Sequence, residues 1–118
     1  NASRRRILND SAFQKLLNQN KIETVELGFA NPLEQISLFR NAELVISIHG
    51  AALTNLIWSK NAKVIEIFPQ NLRPKHYLNI ASQMGLDYRP FIGSAGDKRE
   101  DFEIDIEKFQ DFLLHNFE

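Results

Sequence analysis

The chain has 118 residues, of which 43% are hydrophobic and 25% are charged, and its formal net charge at pH 7 is −1. This length and composition are ordinary for one folded domain with a moderate core, and the charge argues against broad nucleic-acid binding, which usually needs a basic excess. The chain has no cysteine and no apolar run near the roughly 20 residues of a membrane span, which excludes disulfides, thiolate chemistry and a membrane-spanning helix.

The N-terminal segment contains three consecutive arginines, Arg4, Arg5 and Arg6. A run of like charges is usually a solvated surface feature. The planar guanidinium group also suits phosphate oxygens, and each charge-assisted hydrogen bond is worth roughly 1.5–3 kcal/mol. Two interpretations therefore stay open, a solvated charge run and a part of an anion-binding loop.

The next segment predicts a helix followed by a strand. Between Asp10 and Asn20, apolar residues recur on one helical face, at Ala12, Phe13, Leu16 and Leu17. Thr24–Phe29 is typical of a strand, and Gly28 loosens its end.

A second helix is predicted to begin at Asn31. Asn31 is a good N-cap, Pro32 suits the first helical position, and Glu34 lies where a capping box places its acidic residue. Gln35 is expected on the surface. The side chains predicted to face inward are Leu33, Ile36 and Phe39.

The central stretch predicts a βαβ unit. Glu43–Ile48 is a short, β-branched, apolar run, long enough for one buried strand. A turn of small residues follows, and a helical pattern begins at about Leu53. Val64–Phe68 is a second apolar strand, so the crossover between the two strands is short.

The region after this unit predicts one more helix and one more strand. Gln70–Lys75 is a polar loop, and His76–Met84 is a helix that ends at Gly85 in a left-handed conformation. Asp87–Ile92 is the last strand.

The C-terminal part predicts a loop and a final helix. Gly93–Glu103 is a charged loop, and Asp105 caps the helix that follows it. The residues predicted to face inward from that helix are Ile106, Phe109, Phe112, Leu113 and Phe117.

The alternation of helices and strands predicts an α/β fold, with a Rossmann-like parallel sheet of about four strands and helices on both faces. Chains of this type usually begin with a strand, which in common doubly wound orders lies in mid-sheet. No strand precedes the first predicted helix, so an unpaired seam would be expected, at a cost in backbone hydrogen bonds. We therefore expect residues 1–118 to form a single domain of a longer protein, with the seam covered by self-association or by a rearranged strand order.

The turn after the first central strand is the predicted ligand site, because ligands bind at the carboxyl edge of such sheets. Gly50, Ala51 and Ala52 would let a phosphate approach the N–H groups at the helix start. His49, Thr54 and Asn55 would add side-chain donors. The turn is neither a Walker A loop nor a GxGxxG motif. A purely structural role for His49, as a hydrogen-bonding residue at a strand end, stays open.

Glu66 interrupts the apolar strand Val64–Phe68 and shares a face with both ends of that strand. A carboxylate buried there needs a partner. One interpretation is an ion pair or hydrogen bond that only fixes local geometry. The other is a functional carboxylate that orients His49 or accepts a hydrogen bond from a ligand hydroxyl.

Three segments of the chain resemble the glycosyltransferase family 61. They are RRRILND, PLEQISLFRNAELVISIHGAALTNLIW and KVIEIFP, and the resemblance covers roughly Arg4 to Tyr88. The family includes plant xylosyl- and arabinosyltransferases, secretory-pathway O-linked N-acetylglucosamine transferases and bacterial capsular-polysaccharide proteins, and a bacterial member of that last type is expected here.

The resemblance implies a GT-B architecture of two Rossmann-like domains, of which this chain is the C-terminal, nucleotide-sugar-binding half. It implies a polysaccharide- or glycoprotein-building enzyme that inverts anomeric configuration, uses a UDP-sugar as donor and needs no cofactor or metal. The expected partners are the nucleotide sugar and a glycan or protein acceptor. The expected location is the cytoplasm, at the inner face of the membrane, for a bacterial protein and the secretory lumen for a eukaryotic one.

The resemblance also implies a set of donor-binding residues, with the backbone of Gly50 to Leu53 on the diphosphate and Thr54 and Asn55 reinforcing it. The family's proposed base lies in the N-terminal half, so no catalytic residue is carried over, and the isolated chain is expected to bind UDP weakly and to transfer no sugar. The rival interpretation is a non-catalytic α/β regulatory or assembly module. The implied donor-binding residues are Arg5, Arg6, His49, Gly50, Ala51, Leu53, Thr54, Asn55 and Glu66.

Overall fold

A computed structural model describes residues 6–71 and 74–117 of the chain. These residues fold as two units, one formed by 6–25, 68–71 and 92–117 and the other by 26–67 and 74–91. No helix within the described ranges is long and apolar enough to cross a membrane.

The helices and strands follow one another in an α/β order. Two segments are 3-10 helices, Leu27–Phe29 and Ala51–Trp58. The others are α1 Asp10–Gln19, α2 Pro32–Asn41, β1 Leu44–Ile48, β2 Lys63–Phe68, α3 His76–Gln83, β3 Asp87–Ile92 and α4 Ile106–Phe117.

The strands form a parallel sheet in the order β1-β2-β3, which confirms the predicted α/β class. Leu44 lies opposite Lys63, and the register continues to Ile48 opposite Ile67. All residues of β2 after Lys63 are buried, so the central strand is covered on both faces. The sheet has three strands within the described ranges rather than about four.

The missing strand is the predicted one at Thr24–Phe29, which does not form. Its last three residues are a single turn of 3-10 helix, and the Leu27 carbonyl accepts hydrogen bonds from the Ala30 N–H and the Gln35 side chain instead of from a neighbouring strand. A β-favouring composition forms a strand only where a partner takes its backbone groups. Because β1, β2 and β3 are direct neighbours, the described sheet contains no seam.

The start of α2 confirms its predicted cap. The Asn31 side chain accepts a hydrogen bond of 2.9 Å from the Glu34 N–H, and Pro32 is the first helical residue. Phe39 is buried as predicted, but Leu33 is 78% exposed. The prediction for Leu33 was wrong because α2 turns the half-buried Gln35 and Ile36 toward the protein instead.

The segment after β1 is a 3-10 helix from Ala51, not an α-helix from about Leu53 as predicted. Leu53, Leu56 and Ser59 are buried at intervals of three residues. A 3-10 helix has three residues per turn, so side chains at this spacing lie in one line. The spacing of the buried positions therefore explains the tighter helix.

The core of the unit formed by 26–67 and 74–91 lies where α2 and α3 pack against the 3-10 helix Ala51–Trp58. Gly85 has φ of +69°, which confirms the predicted left-handed end of α3. The buried core residues are Phe39, Leu53, Leu56, Val64, Tyr77, Ala81 and Leu86.

In the other unit, α1 packs against α4 through Phe13 and Phe109, whose rings meet edge to face at 5.1 Å. Both helices lie where they were predicted, and Asp105 caps α4 through the Lys108 N–H. Ala12 is exposed, contrary to prediction, and the side chain of Phe117 lies outside the described part of the chain.

Arg6 also belongs to this unit, where it contacts the buried Asp101. The Arg6 N–H donates to Asp101 Oδ1 at 2.8 Å, and the guanidinium lies 3.4 Å from Oδ2. The backbone hydrogen bond, and then the charge of Arg6, lower the pKa of Asp101 below its ordinary value of 3.8.

We expect the Asp101–Arg6 contact to make stability depend on pH in the acid range. Because the folded pKa of Asp101 is lowered, its contribution is complete above pH 3.8 and is lost as the pH falls further. Urea denaturation of Asp101→Asn between pH 2 and pH 7 should show a smaller acid-induced loss. Arg6→Ala keeps the backbone hydrogen bond and should retain most of the pH dependence; equal behaviour of the two variants would contradict the backbone assignment.

Candidate functional site

Three side chains from three adjacent strands meet on one face of the sheet. Glu66 of β2 lies opposite Ser47 of β1, and side chains in register on parallel strands share a face. His49 is two residues beyond Ser47, and its N–H donates to the Ile67 carbonyl at 2.9 Å, which extends the pairing past the end of β1. Tyr88 supplies the third side chain from β3.

Glu66 receives a hydrogen bond at each carboxylate oxygen. Nδ1 of His49 lies 2.6 Å from Oε2, and the Tyr88 hydroxyl donates to Oε1 at 2.5 Å. The Glu66 side chain has no solvent exposure and that of His49 is 15% exposed. An ionised carboxylate only accepts hydrogen bonds, and opposite that form of Glu66 the proton of this contact lies on Nδ1 of His49. The structure thus brings His49 and Glu66 together and fixes the orientation of the imidazole.

The environment of the tyrosine follows from the same contacts. Burial, and then the hydrogen bond and negative charge of Glu66, raise the pKa of Tyr88 well above its ordinary value of 10.0. The hydroxyl therefore stays protonated, and can donate to Glu66, above pH 10.0.

The turn after His49 exposes small residues. Gly50 has φ of 173°, an extended conformation that any residue adopts. A Cβ at Gly50 would meet only the Ile48 carbonyl oxygen, at 3.8 Å. Ala51 and Ala52 are exposed at the start of the 3-10 helix. Leu53 makes the first bond of that helix, to the Gly50 carbonyl at 3.1 Å, so the N–H groups of Ala51 and Ala52 precede it.

Two of the expected donor-binding residues make contacts within the protein. Leu53 is fully buried in the core, and its N–H donates to the Gly50 carbonyl. The Asn55 amide group donates to Gln35 Oε1 at 3.3 Å and to the Ala52 carbonyl at 3.1 Å, so its donors are used inside the protein. Thr54 is exposed on the same helix.

Two of the expected donor-binding residues, Arg5 and Arg6, come from the arginine run near the start of the chain. Arg5 lies outside the described residues. Arg6 lies in the unit of α1 and α4, in contact with Asp101. Among the described residues, four of the expected site residues come together around the turn, namely His49, Gly50, Ala51 and Glu66.

Sequence reasoning missed three residues near the site. Tyr88 was assigned only to a strand, although period-two alternation on β3 could have placed it on a face. Tyr77 packs its ring 5.2 Å from that of His49. Gln35 was expected on the surface, yet it is half-buried and bonded to Asn55. Its position four residues before the buried Phe39 was the available signal.

No group of three or more His, Cys, Asp or Glu side chains that could hold a metal ion occurs within residues 6–71 and 74–117.

Comparison with known proteins identifies the family. The model of the glycosyltransferase 61 family matches residues 1–65, which include the turn and end one residue before Glu66. This chain belongs to the glycosyltransferase 61 family. No solved structure matches this family member significantly.

The relatives of this family 61 chain include three proteins named protein O-linked-mannose β-1,4-N-acetylglucosaminyltransferase 2. The Xenopus laevis protein is 40% identical over 60 residues, which cover 50% of this chain and 10% of the relative. The dog protein is 34% identical over 90 residues, which cover 70% of this chain and 16% of the relative. The human protein is 36% identical over 77 residues, which cover 62% of this chain and 13% of the relative. The matched part thus spans less than a fifth of the length of these relatives.

We expect Tyr88→Phe to destabilise the fold by about 1–3 kcal/mol, because it leaves a buried oxygen of Glu66 without its donor. Because the folded pKa of Tyr88 is raised, the stability that its hydroxyl contributes is complete below pH 10.0 and is lost as the pH rises beyond that value. Urea denaturation at pH 7 and at pH 10–11 should therefore show a gap between wild type and variant that narrows in alkali.

Tyr77→Phe is the matched control, since the other tyrosine of the chain contacts His49 and His76 through its ring. Its effect should be smaller than that of Tyr88→Phe, because it removes no hydrogen bond to the buried carboxylate of Glu66. An equal loss in both variants would show that ring packing, and not the Glu66 hydrogen bond, carries the effect of Tyr88.

Proposed function

We propose that this chain is the donor-binding domain of an inverting glycosyltransferase and that the turn at Gly50–Ala52 binds the diphosphate of a UDP-sugar. The observation that carries the proposal is the His49–Glu66 hydrogen bond of 2.6 Å beside the exposed start of a helix. Membership of the glycosyltransferase 61 family supports the reaction class.

The chemistry of the turn suits a diphosphate. Ala51 and Ala52 present backbone N–H groups at a helix start, where the helix dipole favours an anion. Glycine and alanine side chains leave room for phosphate oxygens to reach those groups. An imidazole held in one orientation by Glu66 borders the same turn. Such preorganised dipoles stabilise charge that develops on a leaving group without reorganising during the reaction.

The proposed reaction places that charge on UDP. The acceptor hydroxyl attacks the anomeric carbon, the bond from that carbon to the diphosphate oxygen breaks, and the hydroxyl proton passes to a base. Attack from the face opposite the diphosphate inverts the configuration. We assign the base to the N-terminal half of the GT-B architecture, so this chain binds and stabilises the donor.

The relatives suggest the sugar and the stereochemistry. Their name describes transfer of N-acetylglucosamine to O-linked mannose in a β-1,4 linkage. A β product is the outcome of inversion when the donor sugar is α-linked. We therefore propose UDP-N-acetylglucosamine as the first donor to test, with a glycan or a glycosylated protein as acceptor.

Titration with UDP, GDP and AMP tests the proposal. Two-dimensional NMR of the labelled chain suits this purpose because it measures weak affinities and identifies the amides that respond. We expect saturable binding of UDP, weaker or no binding of GDP and AMP, and the largest shifts at Gly50, Ala51 and Ala52. No binding of any nucleotide would favour the non-catalytic α/β module instead.

Gly50→Val is expected to weaken UDP binding at least about tenfold, or 1.4 kcal/mol. The added side chain would occupy the phosphate position, while its Cβ contacts only the Ile48 carbonyl at 3.8 Å, so the fold should persist. Gly28→Val is the matched control, because a Cβ there meets no atom within 4 Å. A folded Gly50→Val chain with wild-type affinity would place the diphosphate elsewhere.

A further inference from the structure

A chain of amide hydrogen bonds connects α2 with the helix that follows the candidate site. Nε2 of Gln35 donates to the carbonyls of Leu27 and Ala30, each at 3.2 Å. Oε1 of Gln35 accepts from Nδ2 of Asn55 at 3.3 Å. Nδ2 of Asn55 also donates to the Ala52 carbonyl at 3.1 Å.

Backbone carbonyls determine the orientation of both amides. A carbonyl can only accept, so Leu27 and Ala30 require the NH2 end of Gln35, and the oxygen of Gln35 then faces Asn55. That oxygen and the Ala52 carbonyl in turn require the NH2 end of Asn55. Reversing the Asn55 amide would set its oxygen against two other oxygens. Two separate acceptors, Gln35 Oε1 and the Ala52 carbonyl, therefore determine the orientation of the Asn55 amide.

This polarity decides what Asn55 can bind. Both N–H bonds of its amide point to partners inside the protein, so the opposite side of the amide presents the acceptor Oδ1. Phosphate oxygens are acceptors as well and gain nothing from an amide oxygen. The expected role of Asn55 in reinforcing the diphosphate is thus unsuited to this geometry.

The position of Asn55 relative to the turn indicates another partner. Residues three apart in a 3-10 helix lie in one line, and each residue rises about 2.0 Å, so Asn55 follows Ala52 at about 6 Å along the axis. A nucleoside attached to a diphosphate at Ala51 and Ala52 reaches Asn55 if it extends along this line.

We propose that Asn55 Oδ1 accepts a hydrogen bond from a donor group of the nucleoside part of the ligand, either a ribose hydroxyl or the uracil imide N–H, and that Gln35 is its positioning residue. This inference rests on the proposed function, because it requires a nucleotide at the turn. Asn55 then contributes to nucleotide selection, and the backbone N–H groups of the turn hold the phosphates.

The test compares UDP with inorganic pyrophosphate, which lacks the nucleoside. In NMR titrations, Asn55→Ala should weaken UDP binding by about 3- to 10-fold, the range of one hydrogen bond, and leave pyrophosphate affinity unchanged. Gln35→Met keeps the length of the side chain without its hydrogen bonds. It should likewise weaken UDP binding and leave pyrophosphate affinity unchanged. Asn41→Ala, which removes an exposed amide from α2, is the control and should change neither affinity.

Two analogues identify the donor group. If 2′-deoxy-UDP binds the wild type and Asn55→Ala equally, the partner is the 2′-hydroxyl. If N3-methyl-UDP does so, the partner is the uracil N–H. Loss of affinity for both analogues on mutation indicates the 3′-hydroxyl, and each of the three results supports the proposal.

Other outcomes overturn it. An equal loss for UDP and pyrophosphate in Asn55→Ala would mean that Asn55 supports the turn or contacts phosphate, and an unchanged UDP affinity would mean that it contacts no ligand. Gln35→Met provides an independent test if Asn55→Ala fails to fold. Absence of UDP binding in the wild type would refute the proposed function itself. If the wild type binds UDP but Asn55→Ala does not weaken UDP binding selectively over pyrophosphate, only the role of Asn55 is refuted.

Discussion

The arrangement around the turn depends on the burial of one carboxylate. Glu66 lies on the central strand with no solvent exposure, and an uncompensated charge there would cost several kcal/mol. Its two donors come from His49, just beyond β1, and from Tyr88 of β3. A slip of one residue in β2 would move Glu66 to the opposite face and lose both. The register of the sheet, the orientation of His49 and the position of the turn are therefore linked through Glu66.

The 3-10 helix Ala51–Trp58 connects the turn to the core. Its period of three residues buries Leu53, Leu56 and Ser59 in one line. The same period sets Ala52 and Asn55 in a second line, which lies outside the core. Packing of the first line against α2 and α3 thus determines where the second line lies, so the candidate ligand surface needs little stabilisation of its own.

The three strands β1, β2 and β3 were predictable because each is a continuous, largely apolar run of residues. Each begins and ends within one residue of its predicted bounds. The absence of a strand at Thr24–Phe29 was not predictable, since strand formation depends on a neighbour that composition does not reveal. Leu53 and Leu56 fit an α-helix and a 3-10 helix alike, and the buried Ser59 decides between them. The His49–Glu66 contact was one of two open interpretations, while the polarity of Asn55 depends on Gln35, twenty residues away, and on carbonyls that no side-chain pattern encodes.

The division between backbone and side-chain contacts has a consequence for specificity. Backbone N–H groups at a helix start recognise a diphosphate, and every nucleoside diphosphate sugar carries that group. Discrimination among nucleotides must therefore come from side chains beyond the diphosphate. An amide whose polarity is held by backbone carbonyls can reject a ligand that lacks the matching donor, because the unmatched group loses a hydrogen bond that water had supplied. Asn55, one helical turn from the small residues, is the side chain to which we assign this discrimination.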